Sequence, residues 1–272
     1  MTEFGLQRTL RFRIAYQTIK NYWKTTVILT FLFILISAMY AGMFPAFKDS
    51  LPDMVDTFKG SMSWFPGIED ITTYSGWLNV EMYQIFWILI LGIILGFIAA
   101  SVISKEVEGK TIDLLMSNPV SRKQIVFEKF VGLIPVFLVI NFATMLSVIG
   151  FTVAINEELD YGNLFLTHLA AIPYFLAVLS IGILISVILN EKMKASIAMI
   201  TIIVGMFFVQ SISLSIPSYE KMGWFSINHY YNTADILIHG NLDPIGMLVL
   251  SVVTAWCLII AMIYFEHRDI EI

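Results

Sequence analysis

Long apolar runs dominate the pattern of hydrophobic and polar positions along this chain. A helix needs roughly 20 apolar residues to cross the hydrocarbon core of a bilayer. Six segments reach that length with no charged residue inside them, namely 25–44, 82–103, 130–154, 166–189, 195–216 and 245–265. The pattern therefore predicts an all-α, polytopic membrane protein with six transmembrane helices, built as a single domain over residues 1–272.

Composition supports this prediction and excludes other classes of protein. The chain is 58% hydrophobic and only 14% charged, with a mean hydropathy of +0.80. Soluble domains are nearer 45–50% apolar and about one quarter charged, so a soluble fold and a disordered chain are both excluded. The single cysteine, Cys257, excludes a disulfide scaffold.

The basic residues predict the orientation in the membrane. Of the 16 Lys and Arg residues, all but Lys48, Lys59 and Lys221 fall on one side of the predicted spans. Positively charged loops stay in the cytoplasm, so we expect both termini and the loops 104–129 and 190–194 to be cytoplasmic in a multi-pass plasma-membrane protein. The basic segment before the first span argues against a cleavable signal peptide.

Three segments outside the spans have helical patterns. Before the first span, apolar residues recur at three- and four-residue spacing, at Phe12, Ala15, Tyr16, Ile19, Tyr22 and Trp23. This indicates either a helix in the cytoplasmic headgroup layer or a charged flank that fixes orientation. On the outer side, the stripe Leu51, Met54, Val55 and Phe58 predicts a surface helix, and 217–244 could hold one or two short helices.

The chemistry of the spans is sparse. Ion-coupled carriers usually keep charged residues within the membrane, and none occurs in the six segments, so coupling to an ion gradient is not expected. We interpret Asn141, His168 and Gln210 as hydrogen-bonding residues between helices rather than substrate contacts. No catalytic constellation, metal-site spacing or nucleic-acid motif is present, so we expect neither an enzyme nor a cofactor in this chain.

Small residues recur every four positions in the second span, at Gly92, Gly96 and Ala100. This spacing lets a neighbouring backbone approach closely. It favours ordinary helix packing, and the alternative is a tight seal along a transport pathway.

The loop between the second and third spans predicts a helix, a break and a second helix. Thr111 can cap a short helix that 118–119 ends, and Ser121 with Gln124 forms a capping box for the next helix. The Gly109-Lys110-Thr111 run lacks the spacing and the preceding strand of a phosphate-binding loop. The apolar residues at 112–116 are expected to meet a partner protein or the chain's own helices.

At these residues the sequence resembles a known family. The loop from Ile103 to Lys129 is similar to the loop after the second span in ABC-2 type permeases, the membrane subunits of a class of ABC transporters. The similarity is carried by Glu106 and by the segments 109–111, 114–115 and 119–122. The tail 265–270 and the outer segment 229–242 resemble the corresponding parts of that family.

The resemblance implies a half-transporter. Two six-helix subunits, identical or related, would pair, and each would dock a separate cytosolic ATPase subunit that binds the ATP. The docking contact, a short coupling helix, carries over to Glu106, Glu108, Gly109, Thr111, Leu114, Leu115, Pro119 and Arg122. Transport would proceed by alternating access, with an amphipathic, peptide, drug or lipid-like cargo. The alternative is an ATP-independent channel or scaffold subunit.

Overall fold

The structure, a computed structural model, describes residues 12–58, 67–111 and 120–268. Six of its helices are long and apolar enough to cross a membrane: α1 Arg13–Phe47, α2 Tyr74–Glu108, α3 Arg122–Ile155, α4 Tyr161–Ile188, α5 Lys192–Ser215 and α6 Pro244–His267. The prediction of an all-α fold with six spans is confirmed, and the described ranges contain no strand. Several helices continue past the apolar segments that predict them, most of all α1, α2 and α3.

Helix α2 is built from several pieces. It comprises an α-helical turn Tyr74–Leu78, a π-helical stretch Asn79–Leu91, an α-helix Gly92–Ser101 and, after a break at residues 102–103, a short helix Ser104–Glu108. At the break the backbone N–H groups of Ile103 and Ser104 donate to Ser186 Oγ on α4, at 2.9 and 3.0 Å. The serine hydroxyl thus replaces hydrogen bonds that the interrupted helix cannot make itself.

Helix α4 lies at the centre of the bundle. It packs along α2, α3 and α6, while α1 packs mainly along α3. In the most apolar stretch of α2 and of α4, 61% of residues are buried, against 17% in α5 and 22% in α6. Helices α5 and α6 therefore present wide apolar faces outward.

Polar side chains bridge the helices inside the bundle. The buried His168 of α4 pairs through Nδ1 with Asn141 Oδ1 of α3 at 2.9 Å, and through Nε2 with Tyr83 OH of α2 at 2.9 Å. Asn141 and His168 thus have the interhelical role predicted for them. Gln210 differs, because its buried Oε1 has no hydrogen-bond partner among the described residues.

The small residues of α2 lie against two neighbours. A Cβ added to Gly96 would come within 2.6 Å of Ile203 Cδ1 on α5, whereas one on Gly92 would keep an ordinary 3.7 Å from the same side chain. Ala100 is fully buried, and Gly182 of α4 approaches the backbone nitrogen of Ala100 so closely that a Cβ would lie 3.2 Å from it. This stripe is therefore packed between α4 and α5.

The segments outside the spans follow the predicted patterns in part. Among the described residues, those from Arg13 onward belong to α1 itself, so the predicted surface segment is continuous with the first span there. Ala15 is buried whereas Tyr16 is 67% exposed, so the residues of the expected apolar face do not share one environment. In the segments predicted to lie outside, one helix spans Leu51–Phe58, and 217–244 holds three short helices, Pro217–Phe225, Ile227–Tyr230 and Thr233–Leu237.

The crossing of α1 and α3 needs a glycine. A Cβ on Gly132 of α3 would lie 2.7 Å from Thr18 Cβ and 2.8 Å from the Ala15 carbonyl oxygen of α1. Neither atom can move without shifting the backbone of α1, so the two helices would have to separate.

This crossing gives a prediction with a control on the same helix. Gly132→Ala should lower the unfolding temperature in detergent, because overpacking costs about 1–3 kcal/mol. Gly150→Ala should leave that temperature unchanged or raise it slightly, since no atom lies within 4 Å of its Cβ position and alanine favours helix by up to ~1 kcal/mol. Equal effects of the two variants in thermal unfolding would contradict the close crossing.

Candidate functional site

Charged side chains concentrate on both sides of the α2–α3 connection. We call them the anchoring cluster, and its members are Lys105, Glu106, Glu108, Arg122, Glu128 and Lys129. Three of them end α2 and three begin α3. Their contacts decide how the connection is held against the bundle.

An ion pair joins the two ends of the connection. Lys129 Nζ contacts Glu106 Oε1, and the two side chains are only 5% and 15% exposed. Such a shielded pair is strongly coupled, because removing one charge leaves the other buried without a partner. The last turn of α2 is therefore fixed to the second turn of α3.

Glu128 caps a different helix. Its Oε2 accepts the backbone N–H groups of Ile14 and Ala15 at 2.9 and 3.2 Å, and its Oε1 accepts from Gln124 Nε2 at 2.6 Å. The first N–H groups of a helix lack partners within it, and a negative charge there is favourable. Phe12, which precedes α1, makes no side-chain cap, so α3 supplies the cap from 114 residues away in sequence.

The end of α2 also reaches α5 and α1. Glu108 Oε2 accepts the backbone N–H of Lys192, the first residue of α5, at 2.9 Å. Lys105 Nζ donates to Tyr22 OH of α1 at 3.0 Å and lies 4.8 Å from the centroid of that ring. These contacts hold the start of α5 and the third turn of α1 against the end of α2.

Arg122 connects the start of α3 with the end of α6. Its Nη1 donates to the carbonyl oxygens of Phe265, at 3.3 Å, and of Arg268. Arg268 in turn donates through Nη1 to the carbonyl oxygen of Val187 near the end of α4. The tail that resembles the family's closing stretch is thereby fixed to the bundle.

The exposed edge of the connection carries Gly109, Lys110 and Thr111. Thr111 donates through its backbone N–H and its hydroxyl to the Glu106 carbonyl oxygen, at 2.9 and 3.3 Å, and so closes the end of α2. The short helix that Thr111 is predicted to cap falls on 112–119. These residues, including Leu114, Leu115 and Pro119, lie outside the described residues.

The capping box predicted for the start of α3 is observed in part. Ser121 is the N-cap of α3, and its Oγ accepts the Gln124 N–H at 3.2 Å. The Gln124 side chain, which would return to Ser121 in a full capping box, donates to Glu128 instead. Gln124 therefore orients the carboxylate that caps α1.

Sequence reasoning identified Glu106, Glu108 and Arg122 as docking residues, and the structure places all three in contact with the chain's own helices. It missed two buried charged residues, Glu128, which caps α1, and Lys129, which pairs with Glu106. The signal lies at the residue directly before α1, because Phe12 has no side-chain oxygen to cap the helix, which therefore needs a cap from elsewhere. Within the described ranges, no group of three or more His, Cys, Asp or Glu residues could hold a metal ion.

The described residues form a multi-pass helical membrane protein in which buried and partly buried charges gather around one loop between two spans. Comparison with known families gives the more particular identity. The family described as ABC-2 family transporter protein matches residues 17–270, so the chain belongs to this family. A search of curated proteins found no match.

Membership of this family makes the chain a permease of an ABC transporter, a membrane transport subunit that associates with an ABC ATPase subunit. The matched range runs from the second turn of α1 to just beyond α6, so it includes all six spans and the whole anchoring cluster.

The ion pair at the centre of the cluster gives a prediction. Lys129→Met should reduce the free energy of unfolding by about 3–5 kcal/mol, because it leaves the shielded Glu106 carboxylate without its ion-pair partner. Combining it with Glu106→Met should restore most of the loss, since no buried charge remains. Chemical or thermal unfolding in detergent measures both.

The control is the exposed pair Lys123–Glu266 on α3 and α6, whose side chains are 48% and 43% exposed. Glu266→Gln should leave the unfolding transition nearly unchanged, because solvent screens an exposed ion pair. A double variant at Lys129 and Glu106 as unstable as the single one would show that the pair is not the source of the loss.

Proposed function

We propose that this permease is the membrane subunit of an ATP-driven exporter, and that it works as a dimer with separate cytosolic ATPase subunits. The observation that carries the proposal is that the anchoring cluster contacts most of the other helices. Through it, the two ends of the 112–119 connection contact α1, α5 and α6 directly and α4 through Arg268. A displacement of this connection is therefore transmitted to the whole bundle.

The mechanism follows from this arrangement. Closure of two ATPase subunits around ATP would bring the two connections of a dimer together, and the rigid cluster would move the bundles with them. The path between the bundles would then switch from inward to outward facing. Glu106, Glu108 and Arg122 would transmit the movement, while Leu114 and Leu115 would form the docking contact.

The chemical character of the bundle favours an amphipathic, peptide, drug or lipid-like molecule as the transported cargo. Its buried polar groups, such as His168 and Asn141, are largely satisfied by one another. The faces of α5 and α6 are wide and apolar, and in this proposal they would contact lipid and the second copy of the subunit. We propose export, since such a cargo partitions into the cytoplasmic leaflet and reaches these faces from the lipid.

Docking can be tested directly. Leu114→Asp with Leu115→Asp should abolish co-purification of the ATPase subunit in mild detergent, because charges cannot enter an apolar contact without large cost. The control Leu242→Asp alters a part-exposed leucine of the outer segment and should leave co-purification intact. Both variants should reach the membrane in normal amount.

Retained docking by the double variant would contradict the assigned contact. If the wild-type chain brings no ATP-hydrolysing subunit at any detergent strength, the ATP-independent channel or scaffold replaces the exporter.

The orientation has its own test. In a Cys257→Ser background, Glu158→Cys and Lys110→Cys each place one cysteine at an exposed, charged position at opposite ends of the bundle. A membrane-impermeant maleimide applied to intact cells should label the cysteine at 158 and reach the one at 110 only after permeabilisation. The reverse pattern would invert the topology.

A further inference from the structure

A groove opens between α1, α2 and α5 beside the anchoring cluster. Its volume is about 520 Å³, within the range of small-molecule sites. Its wall is apolar along α2, at Ile93, Ile94, Phe97 and Ile98. At its other end lie Lys105, Lys192 and Tyr22, so the groove is apolar along most of its length and basic at one end.

The groove has the length of one lipid leaflet. Ile93 and Lys105 are twelve positions apart on α2, which corresponds to roughly 18 Å along a helix. Half of the hydrocarbon core is about 15 Å thick. With the basic end at the headgroup level, the apolar wall therefore extends through one leaflet.

Neither lysine at the basic end forms an ion pair with a carboxylate among the described residues. Lys48, Lys123, Lys129 and Lys194 all form ion pairs with carboxylates. Among the described residues, Lys105 and Lys192 form none. The nearby Glu108 carboxylate accepts the backbone N–H of Lys192, and the Lys105 ammonium donates to the Tyr22 hydroxyl.

We propose that this groove holds a resident anionic phospholipid of the cytoplasmic leaflet. Its phosphate accepts hydrogen bonds from Lys105 and Lys192, and one acyl chain lies along the wall of α2. Basic pockets between membrane helices on the cytoplasmic side recognise anionic headgroups in this way. The lipid is a structural ligand that joins α1, α2 and α5, distinct from the cargo, and its leaflet rests on the proposed orientation.

Lipid binding to the purified wild-type protein tests the proposal. Phosphatidylglycerol and phosphatidylcholine with the same acyl chains are titrated in mild detergent, and bound lipid is counted by native mass spectrometry. One phosphatidylglycerol should bind tightly in preference to phosphatidylcholine. Lys105→Gln and Lys192→Gln should each weaken it about fivefold, and the double variant about thirtyfold, as expected for two headgroup contacts.

Two further variants separate the groove from general charge and from misfolding. Lys194→Gln removes a lysine of α5 that is already paired with Glu191, and should not change binding. Ile94→Trp narrows the apolar wall without changing charge, and should weaken binding of the intact lipid. Glycerol phosphate, which lacks acyl chains, should not compete.

Equal binding of the two lipids, or an unchanged affinity in the double lysine variant, would overturn the proposal. So would competition by glycerol phosphate, which would indicate a site for a free phosphate. Because binding in detergent does not depend on sidedness, a reversed result in the cysteine-labelling test would change the leaflet and leave the lipid site in place.

Discussion

In hydrocarbon, every backbone N–H and C=O group must be hydrogen-bonded within the protein, and this constraint determines most of the structure. It explains why the described residues form helices throughout the membrane, and why the one break near the end of α2 lies against α4. There the Ser186 hydroxyl accepts two backbone N–H groups that the interrupted helix cannot satisfy. A serine on α4 thus meets, at the break in α2, the requirement that regular helix meets elsewhere.

The same requirement acts at the helix ends, where it links helices to one another. The first N–H groups of α1 are capped by Glu128 of α3, and the first N–H of α5 by Glu108 of α2. A cap of this kind does more than stabilise one helix, because it prevents the two helices from moving independently. The two glutamates are therefore also mechanical connections, and the end of the bundle that carries the anchoring cluster behaves as one unit.

The sequence predicted the spans well, because membrane insertion depends on apolarity summed over about 20 residues. It also predicted the Ser121 cap, which involves neighbours only three positions apart. It did not predict the Glu128 cap or the contact of Glu108 with Lys192, since these join residues 114 and 84 positions apart. The start of α1 at Arg13 has the same origin, because packing against α3, and not local apolarity, stabilises its first turns.

The break at residues 102–103 also divides α2 into two segments of unequal length. The short segment, Ser104–Glu108, has five residues, and the long segment, Tyr74–Ser101, has 28. At 1.5 Å per residue the short segment is roughly 7 Å long. Because the helix is interrupted between the two segments, a displacement of the short one passes sideways to α1, α3 and α5 through its own side chains rather than along the axis of α2.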